Sequence, residues 1–411
     1  MKPRRAIVCA CSILLISIAA RPSLAEDPAN AAASTAIPNM IEIAWSRGPN
    51  LPRGFQDGEV GVVSRTLVSV GGFCSGESGV PGKPGVYPRG FLAEVWGLPL
   101  DPAPAARWVD LPRFPGAPRQ GLEGVVVDDA FHVWGGFSYS APFTYRDGFR
   151  LSRKASGWGW NPLPEFPYPI TGAGSCRIGR TIHMIGGADY DGATGFFTET
   201  DRNGRIPRLG ARHHRFDASK PERGWIEAPA CPGTPRFVHA VASVAGKVYV
   251  FGGAASATKP AEGTFTVVDN WVFDPANEQW SRLPDLPISS GNFPAGAIVW
   301  RDRYVLLIGG YDYGRIKTPE GAIRASYGTP TRHHRENAMC SDVFVFDTST
   351  RRFGRATALP LNNNLPAACI EGDRLHLIGG EVGRATIEGE AYGHHPELHL
   401  IGTLRLAGSG G

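Results

Sequence analysis

Six Gly-Gly pairs, each at the end of an apolar run, constrain the fold of this chain more than any other feature. An aromatic residue followed shortly by Leu-Pro or Ala-Pro alternates with these pairs. Self-similarity of this kind is typical of repeat architectures, so the sequence predicts six copies of one structural unit. The pairs are Gly71-Gly72, Gly135-Gly136, Gly186-Gly187, Gly252-Gly253, Gly309-Gly310 and Gly379-Gly380, and the aromatic residues are Trp45, Trp108, Trp160, Trp225, Trp280 and Phe353.

The two halves of each repeat differ in how much their length varies. From the aromatic residue to the next Gly-Gly pair the spacing is 26 to 29 residues, whereas from Gly-Gly to the next aromatic residue it is 24 to 43. In the constant half, Ala- and Val-rich runs flank a short turn, as in HAVASV, AGK and VYVFGG, which predicts two strands. A third strand follows the variable stretch, and the aromatic residue begins a fourth. Each unit is therefore predicted to be a four-stranded antiparallel sheet.

Repeated four-stranded sheets bury their faces by packing radially in a β-propeller. The first aromatic signature precedes any Gly-Gly pair, so the segment from about Ile43 to Pro52 is expected to supply the outer strand of the last blade and close the ring. Gly-Gly followed by Trp-x-x-Leu-Pro, as in VYVFGG and WVFDPANEQWSRLP, resembles the kelch repeat from about Trp45 to Leu406. The predicted fold is an all-β, six-bladed kelch β-propeller over residues 43–408.

The first 25 residues have the pattern of a secretory signal peptide. Lys2, Arg4 and Arg5 precede an apolar run that ends at Ala20, and a small-x-small cleavage site ends at Ala25. We therefore predict a signal peptide over residues 1–25, a flexible segment over 26–42, and export to the periplasm or the extracellular space without a membrane span. The net charge of +4 lies entirely in the leader, so binding to nucleic acid through bulk charge is disfavoured.

Five cysteines remain after the leader. In an oxidising compartment they could form at most two disulfides, and the sequence does not determine the pairing. CxxC motifs and Cys/His zinc spacings are absent from the sequence, so a structural metal site has little support. No cofactor is predicted. The five residues are Cys74, Cys176, Cys231, Cys340 and Cys369.

All the length variation is expected on one face of the predicted propeller, which we call the loop-rich face; variable loops often carry function. The inserts of the third and fifth repeats are strongly basic, which favours an anionic ligand, since Arg binds carboxylates in a bidentate manner. A solvated basic loop is the alternative. The basic residues are Arg202, Arg205, Arg208, Arg212 and Arg215 in the third repeat, and Arg315, Lys317, Arg324, Arg332 and Arg335 in the fifth.

Three pairs of adjacent histidines stand just before the third strand of their repeats. Ligand contact, metal binding and structural capping all remain open for them. Because adjacent residues at the start of a strand point to opposite sides, at most one member of each pair is expected to face a common site. The pairs are His213-His214, His333-His334 and His394-His395, and Arg212 and Arg332 precede the first two.

Other candidates lie at the ends of predicted inner strands and after the Gly-Gly pairs. Arg119 and Arg236 begin inner strands and are expected to project toward the central pore. Glu123 is a candidate buried carboxylate, with an ion pair to a neighbouring Arg as the alternative. Glu381 directly follows the last Gly-Gly pair. Tyr190 and Tyr311, beside aspartates, suit a sugar ring.

The chain also resembles the periplasmic N-acetylneuraminate epimerases, in PRQGLEGVVVDDAFHVWGG, the basic third-repeat insert and LHLIGGEVG. The resemblance implies a sialic acid mutarotase, with an acid–base pair for ring opening and Arg side chains for the carboxylate. The family's Glu and Arg after the fourth Gly-Gly pair meet Ala254 and Ala255 in this chain, so Glu381, Glu123 or a histidine would take the proton-transfer role. The alternative is a non-catalytic kelch module that binds an anionic glycan or an exported protein.

Overall fold

The computed structural model describes residues 37–80, 83–86, 88–100, 106–198, 200–201, 203–256, 263–294, 298–327, 339–383, 385–387, 390–392 and 394–408. The chain divides into two units, Met1–Ile37 and Pro38–Gly411, and the described strands all lie in the second. The predicted signal peptide lies outside the described residues. Within the described ranges there is no helix long and apolar enough to span a membrane. The prediction of an all-β fold is confirmed.

The strands are short and follow one another with few interruptions. In the first part of the chain they are β1 (Asn39–Arg47), β2 (Glu59–Val63), β3 (Thr66–Val70), β4 (Phe73–Cys74), β5 (Glu77–Val80), β6 (Lys83–Val86), β7 (Gly90–Phe91), β8 (Val95–Pro99) and β9 (Val109–Asp110). Next come β10 (Gln120–Val127), β11 (Ala130–Phe137), β12 (Gly148–Lys154), β13 (Gly157–Leu163), β14 (Gly174–Ile178), β15 (Thr181–Ile185), β16 (Asp189–Asp191), β17 (Phe196–Thr198), β18 (His213–Asp217) and β19 (Trp225–Ala228). Short 3-10 helices, Leu209–Ala211 and Pro221–Arg223, flank β18.

The remaining strands cover the second half of the chain. They are β20 (Ala240–Val244), β21 (Lys247–Phe251), β22 (Ala254–Ser256), β23 (Thr264–Thr266), β24 (Asn270–Asp274), β25 (Gln279–Leu283), β26 (Ile298–Trp300), β27 (Tyr304–Ile308), β28 (Arg315–Lys317) and β29 (Ile323–Ala325). The last are β30 (Val343–Asp347), β31 (Arg352–Ala356), β32 (Ala367–Glu371), β33 (Arg374–Ile378), β34 (Ala385–Ile387), β35 (Glu390–Tyr392) and β36 (His399–Leu406).

Each repeat forms a sheet in which the two strands before Gly-Gly pair with two strands after it. In the described residues, four-stranded sheets have the orders β2-β3-β8-β9, β10-β11-β12-β13, β14-β15-β18-β19 and β20-β21-β24-β25. An eight-stranded sheet, β26-β27-β30-β31-β1-β36-β33-β32, contains the fifth and sixth repeats. Smaller hairpins are inserted after Gly-Gly, for example β16-β17 and β34-β35. Apolar clusters lie between consecutive sheets, so the core is divided among the repeats.

Strand β1 joins the start of the propeller region to its end. It pairs antiparallel with β36, from Ile41 opposite Leu406 to Arg47 opposite Leu400, and parallel with β31. The strand begins at Asn39, inside the segment that the sequence predicts to be flexible. Burial of Ile41 and Ile43 in the same apolar cluster as Leu404 stabilises this strand.

The Gly-Gly pairs connect one sheet to the next. The backbone N–H of Gly136 donates to Ile170 of the following repeat at 2.8 Å, and Gly380 donates to Phe55 of the first repeat at 2.8 Å. A Cβ on Gly135 would lie 2.4 Å from the carbonyl oxygen of Ile170, and the backbone there has a φ of 67°. Glycine is required because the two backbones approach so closely.

Candidate functional site

At the start of each inner strand, or in the loop before it, one residue has a left-handed backbone conformation. Five of these six residues lie side by side, because backbone hydrogen bonds connect them in series. The N–H of Asp57 donates to Leu365, Gly121 to Asp57, Gly172 to Gly121 and Val238 to Gly172, at 3.0, 2.9, 3.2 and 2.6 Å. We call this set the inner ring; its left-handed residues are Asp57, Gly121, Gly172, Val238, Asn292 and Leu365.

A cavity of about 400 Å³ opens above the inner ring and is the candidate site. Its volume suits a small ligand such as a monosaccharide. One wall is aromatic and the floor is polar, an arrangement that can stack on a sugar ring and hydrogen-bond to its edge. The lining residues that matter most are Gln56, Asp57, Gln120, Thr171, Asn292 and Tyr313 on the polar side, and Phe137, Tyr139, Tyr190, Phe196, Phe197 and Phe237 on the aromatic side.

Asp57 is the group in the cavity best placed for proton transfer. Its carboxyl is half-buried, and burial raises its pKa to about 7, although a hydrogen bond from Gln120 acts in the opposite direction. A carboxyl with this pKa is present in both protonation states at neutral pH, as acid–base catalysis requires. Gly121 provides room for it, since a Cβ there would lie 3.3 Å from Asp57 Oδ2 and 2.3 Å from Thr171 Oγ1.

Two further carboxyls lie just beyond Asp57 along the inner strands. Burial raises the pKa of Glu59 well above its usual value, and the charge of Asp57 raises it further. Burial likewise raises the pKa of Glu123, with added repulsion from Glu59 and Asp57. The Glu123 side chain is fully buried, and neither carboxyl oxygen accepts a hydrogen bond of normal geometry. Both glutamates therefore keep their protons to a higher pH than an exposed glutamate does.

The other polar groups of the cavity are held by short hydrogen bonds. Tyr313 Oη donates to Asn292 Oδ1 at 3.0 Å, and burial raises the pKa of Tyr313. Thr171 Oγ1 donates to the carbonyl of Gly121 at 2.9 Å. Gln120 is 5% exposed, and its Oε1 is buried without a hydrogen-bond partner among the described residues. Together these groups offer hydroxyl and amide partners to a polyhydroxylated ligand.

Arg119 and Arg236 do not project into an open pore as the sequence suggested. Both are 1% exposed, and each pairs with an aspartate of its own repeat, Asp147 and Asp269 respectively. Their Nη1 atoms also donate to the first glycine of Gly-Gly, at 3.1 Å to Gly135 or Gly252. Ser290 and Asn363 donate to the same carbonyl in the fifth and sixth repeats. Each arginine therefore stabilises its own repeat by connecting an aspartate to the Gly-Gly backbone.

The predicted basic rim is largely committed to contacts within the protein. Arg212 pairs with Glu227 and Arg215 with Glu278, and the guanidinium of Arg315 lies 4.6 Å from the centre of the Phe265 ring. None of these three lines the cavity above the inner ring. Arg202, Arg332, Arg335, His333 and His334 lie outside the described residues.

His213 and His214 point to opposite sides of β18. His213 is fully buried, and its Nε2 lies 2.9 Å from Nδ1 of His183. His214 is also buried and lies among Phe166 and Tyr168. Burial lowers the pKa of His213 to about 3 and of His214 to about 4, so both are neutral. They pack between sheets instead of lining the cavity.

Glu381 forms a separate cluster with His394 and His395. His394 Nε2 and Asn364 Nδ2 donate to its carboxylate at 2.6 and 2.8 Å. Burial raises the pKa of Glu381, but these partners outweigh burial, so its pKa lies below the usual value. Contrary to the sequence expectation, both histidines of this pair approach one carboxylate, and the three side chains lie within reach of one metal ion. However, His395 Nδ1 accepts the Ser75 N–H at 2.9 Å, which leaves the proton on Nε2 and disfavours metal ligation.

Of the remaining predicted residues, one lies in the cavity and one lies beside it. Tyr190 lines the aromatic wall, with its ring 4.9 Å from that of Phe137. Tyr311 packs on Tyr313, at 4.9 Å between ring centres. Glu123 lies beneath the cavity floor, and Glu381 is near enough to Tyr313 to affect its pKa.

The sequence interpretation missed Asp57, Gln56 and Gln120, which the structure brings together. Asp57 and Gly121 have the same spacing to the Gly-Gly pair of their repeats, as do Gly172, Val238 and Leu365. Aligning the repeats on Gly-Gly would therefore have marked this position. Its significance depends on contacts between repeats, which the spacing alone does not reveal.

Comparisons with known proteins agree with this architecture. Residues 235–287 match the kelch motif. N-acetylneuraminate epimerase of Haemophilus influenzae is 24% identical over 308 residues, which are 68% of this chain and 77% of that protein. The Brucella melitensis protein of the same name is 26% identical over 239 residues, 53% of this chain and 55% of that protein.

A solved structure of YjhT has a similar fold, with a TM-score of 0.58 at 15% sequence identity. The superposed region covers 84% of this chain and 95% of that chain. At this identity the likeness concerns the fold. With the kelch motif, the repeat pattern and the named relatives, it leads to one conclusion: the chain is a kelch-repeat protein that resembles the N-acetylneuraminate epimerases.

Proposed function

We propose that the repeats form a six-bladed propeller closed by β1 as the outer strand of the last blade. The pairing of β1 with β36 supports this arrangement. The hydrogen bond from Gly380 to Phe55 also supports it. This bond connects the sixth repeat to the first in the same way as the bond from Gly136 to Ile170 connects the second repeat to the third. An apolar cluster containing Leu67 and Ile378 lies between the same two repeats. Closure of this kind stabilises a propeller by removing an open edge.

We propose that the protein is a carbohydrate mutarotase, which accelerates the interconversion of sugar anomers in the cavity above the inner ring. The observation that carries the proposal is the Asp57 carboxyl, with a pKa of about 7, on the floor of an aromatic-walled cavity. Relatives named N-acetylneuraminate epimerase support a sugar acid as substrate. The proposal assigns no role to His213 and His214, which are buried between sheets.

Asp57 can perform both proton transfers of ring opening. Its protonated oxygen donates to the ring oxygen, while its other oxygen accepts the proton of the anomeric hydroxyl. The bond between the ring oxygen and the anomeric carbon breaks, and a carbonyl forms. After rotation about the adjacent C–C bond, the reverse transfers close the ring on the other face. The cycle returns the proton to Asp57, so neither cofactor nor external acid is consumed.

Export belongs to the same proposal. The basic and apolar pattern of residues 1–25 supports secretion to the periplasm or beyond, where free sugar acids would be encountered. Detecting the mature N-terminus near Glu26 in a secreted fraction would support export. Recovery of the full-length chain from the cytoplasm alone would contradict it.

The activity is tested by a proton NMR time course on the purified protein. N-acetylneuraminate freshly released as its α anomer should convert to the β anomer faster than in buffer. Asp57→Asn should lose the acceleration, because the amide cannot supply the acidic proton. Glu165→Gln serves as the control, since Glu165 is an exposed partner of Arg146.

Two results would contradict the proposal in different ways. Equal rates with and without protein would exclude mutarotation of this sugar. Broadened sugar signals in the same sample would then identify the non-catalytic alternative, a glycan-binding module. If the Asp57→Asn variant converts the anomers as fast as the unmodified protein, Asp57 is not the acid–base group.

A further inference from the structure

The aromatic wall of the cavity continues outside it. Tyr139 stands at the rim with 53% of its surface exposed. Its ring centre lies 5.8 Å from that of Tyr190 inside the cavity, and 4.8 and 5.8 Å from those of Phe91 and Phe73 outside it. A single sugar in the cavity does not need this extension. Rings placed in succession suit a second sugar that follows the first.

A cation lies at the outer end of this aromatic strip. The guanidinium carbon of Arg89 is 5.0 Å from the centre of the Phe73 ring, and the side chain is exposed. Stacking on a ring orients a guanidinium while its N–H edges still face outward. The described residues give it one hydrogen bond, a long one of 3.5 Å to the Ser75 carbonyl. Its donors therefore suit a carboxylate.

Among the described residues, no carboxylate pairs with Arg89. His395 packs against Phe73 and is neutral, because burial lowers its pKa to about 4. The nearby Glu381 is engaged by His394 and Asn364. By contrast, the described residues that line the cavity itself include neither Arg nor Lys. The strip therefore offers a cation to a second carboxylate that lies outside the cavity.

From this geometry we infer that the ligand is an acidic oligosaccharide. Its reducing-end sugar occupies the cavity above Asp57, the next sugar stacks on Tyr139, and a carboxylate of that second sugar binds Arg89. The inference rests on the proposed function for the role of the reducing end. It extends the substrate class beyond a single sugar and places the anionic contact outside the rim that the sequence predicts.

The test compares two disaccharides with the same reducing hexose, one carrying a uronic acid and the other a neutral hexose at the second position. Dissociation constants are measured by NMR titration, and anomer exchange is followed in the same samples. The uronic acid compound should bind about tenfold more tightly, the effect of one charge-assisted hydrogen bond. Arg89→Gln should abolish that preference and leave the neutral disaccharide unaffected. Tyr139→Ala should weaken both.

Arg146→Gln is the matched control, because it removes an exposed guanidinium of equal charge away from the strip. It should retain the preference. Equal binding of the two disaccharides, or a preference that survives Arg89→Gln, would overturn the inference. These outcomes are separable from the fate of the mutarotase proposal. A preference that depends on Arg89 without faster anomer exchange would support the inference and refute catalysis, whereas faster exchange without the preference would do the reverse.

Discussion

Two groups of buried ionisable side chains in this protein differ in whether an oppositely charged residue pairs with them. Arg236 and Asp269 are both buried and charged, and each has several partners; Arg236 donates to Thr234 and Gly252 as well. Burial raises the pKa of Asp269, but Arg236 and its other donors outweigh burial and lower it overall. In contrast, Glu59 and Glu123 lie on inner strands and pair with no cation among the described residues, and their pKa values are raised.

The difference indicates what each group is for. A buried ion pair fixes the positions of two segments relative to each other. Buried acids with a raised pKa keep their protons to higher pH and destabilise the fold when the pH forces them to ionise. They lie beside Asp57, where a protonated carboxyl is useful. Buried ion pairs thus stabilise the fold, whereas the buried acids that pair with no described cation lie at the candidate site.

The largest effect is expected from breaking the buried pair. Asp269→Asn would leave the Arg236 guanidinium charged and without its carboxylate, which should lower the free energy of unfolding by about 3–5 kcal/mol. Urea denaturation measures the change. Asp147→Asn is the matched comparison, because Asp147 pairs with Arg119 in the same way but is 31% exposed, so water can replace it. Equal losses in the two variants would contradict the assignment of Asp269 as the more important partner.

The next effect concerns the acids without a cation. Because the pKa of Glu123 is raised in the folded state, the unfolded chain ionises first, and stability falls as the pH rises from about 4.3 toward the folded pKa. Glu123→Gln does not titrate. Its stability relative to the unmodified protein should therefore rise with pH above about 4.3, by at most about 1.4 kcal/mol for each pH unit, until the folded-state pKa of Glu123 is reached.

Thermal or urea unfolding at several pH values, compared between the two proteins, checks this prediction. The difference reports Glu123 together with its effect on the neighbouring Asp57 and Glu59, whereas the contributions of titrating groups far from Glu123 cancel. A difference that stays constant with pH would mean that Glu123 has an ordinary pKa and a partner. Glu371→Gln provides the control, since Glu371 pairs with the exposed Arg65.

The sequence predicted the strands and the Gly-Gly connections well because both depend on residues that are close together in the chain. Gly135 and its counterparts must be glycine where neighbouring backbones meet, and the alternating apolar runs before them define strands. The candidate site depends on contacts between distant parts of the chain. Asp57 hydrogen-bonds to Leu365 and Gly121, and these neighbours come from different repeats. Spacing within one repeat does not contain that information.

The arginines illustrate the same limit from the other side. The sequence correctly drew attention to Arg119 and Arg236 as equivalent positions. It did not reveal that Asp147 and Asp269, each in a later strand or loop of the same repeat, would cancel their charge. The sequence shows how many positively charged side chains there are. Whether such a side chain is available to a ligand depends on whether a carboxylate of the folded protein already pairs with it.

The smallest effect is expected where a charge pair lies at the surface. Arg212 and Glu227 form an ion pair in which the side chains are 30% and 55% exposed. Solvent screens such pairs, so a double-mutant cycle with Arg212→Gln and Glu227→Gln should give a coupling energy below about 1 kcal/mol, and less in high salt. The corresponding cycle for Arg236 and Asp269 should give several times more. A coupling of similar size at the two sites would contradict the distinction between framework and surface pairs. Measuring sugar binding by the same Arg212→Gln variant then tests the sequence prediction that Arg212 contacts the ligand, separately from its contribution to stability.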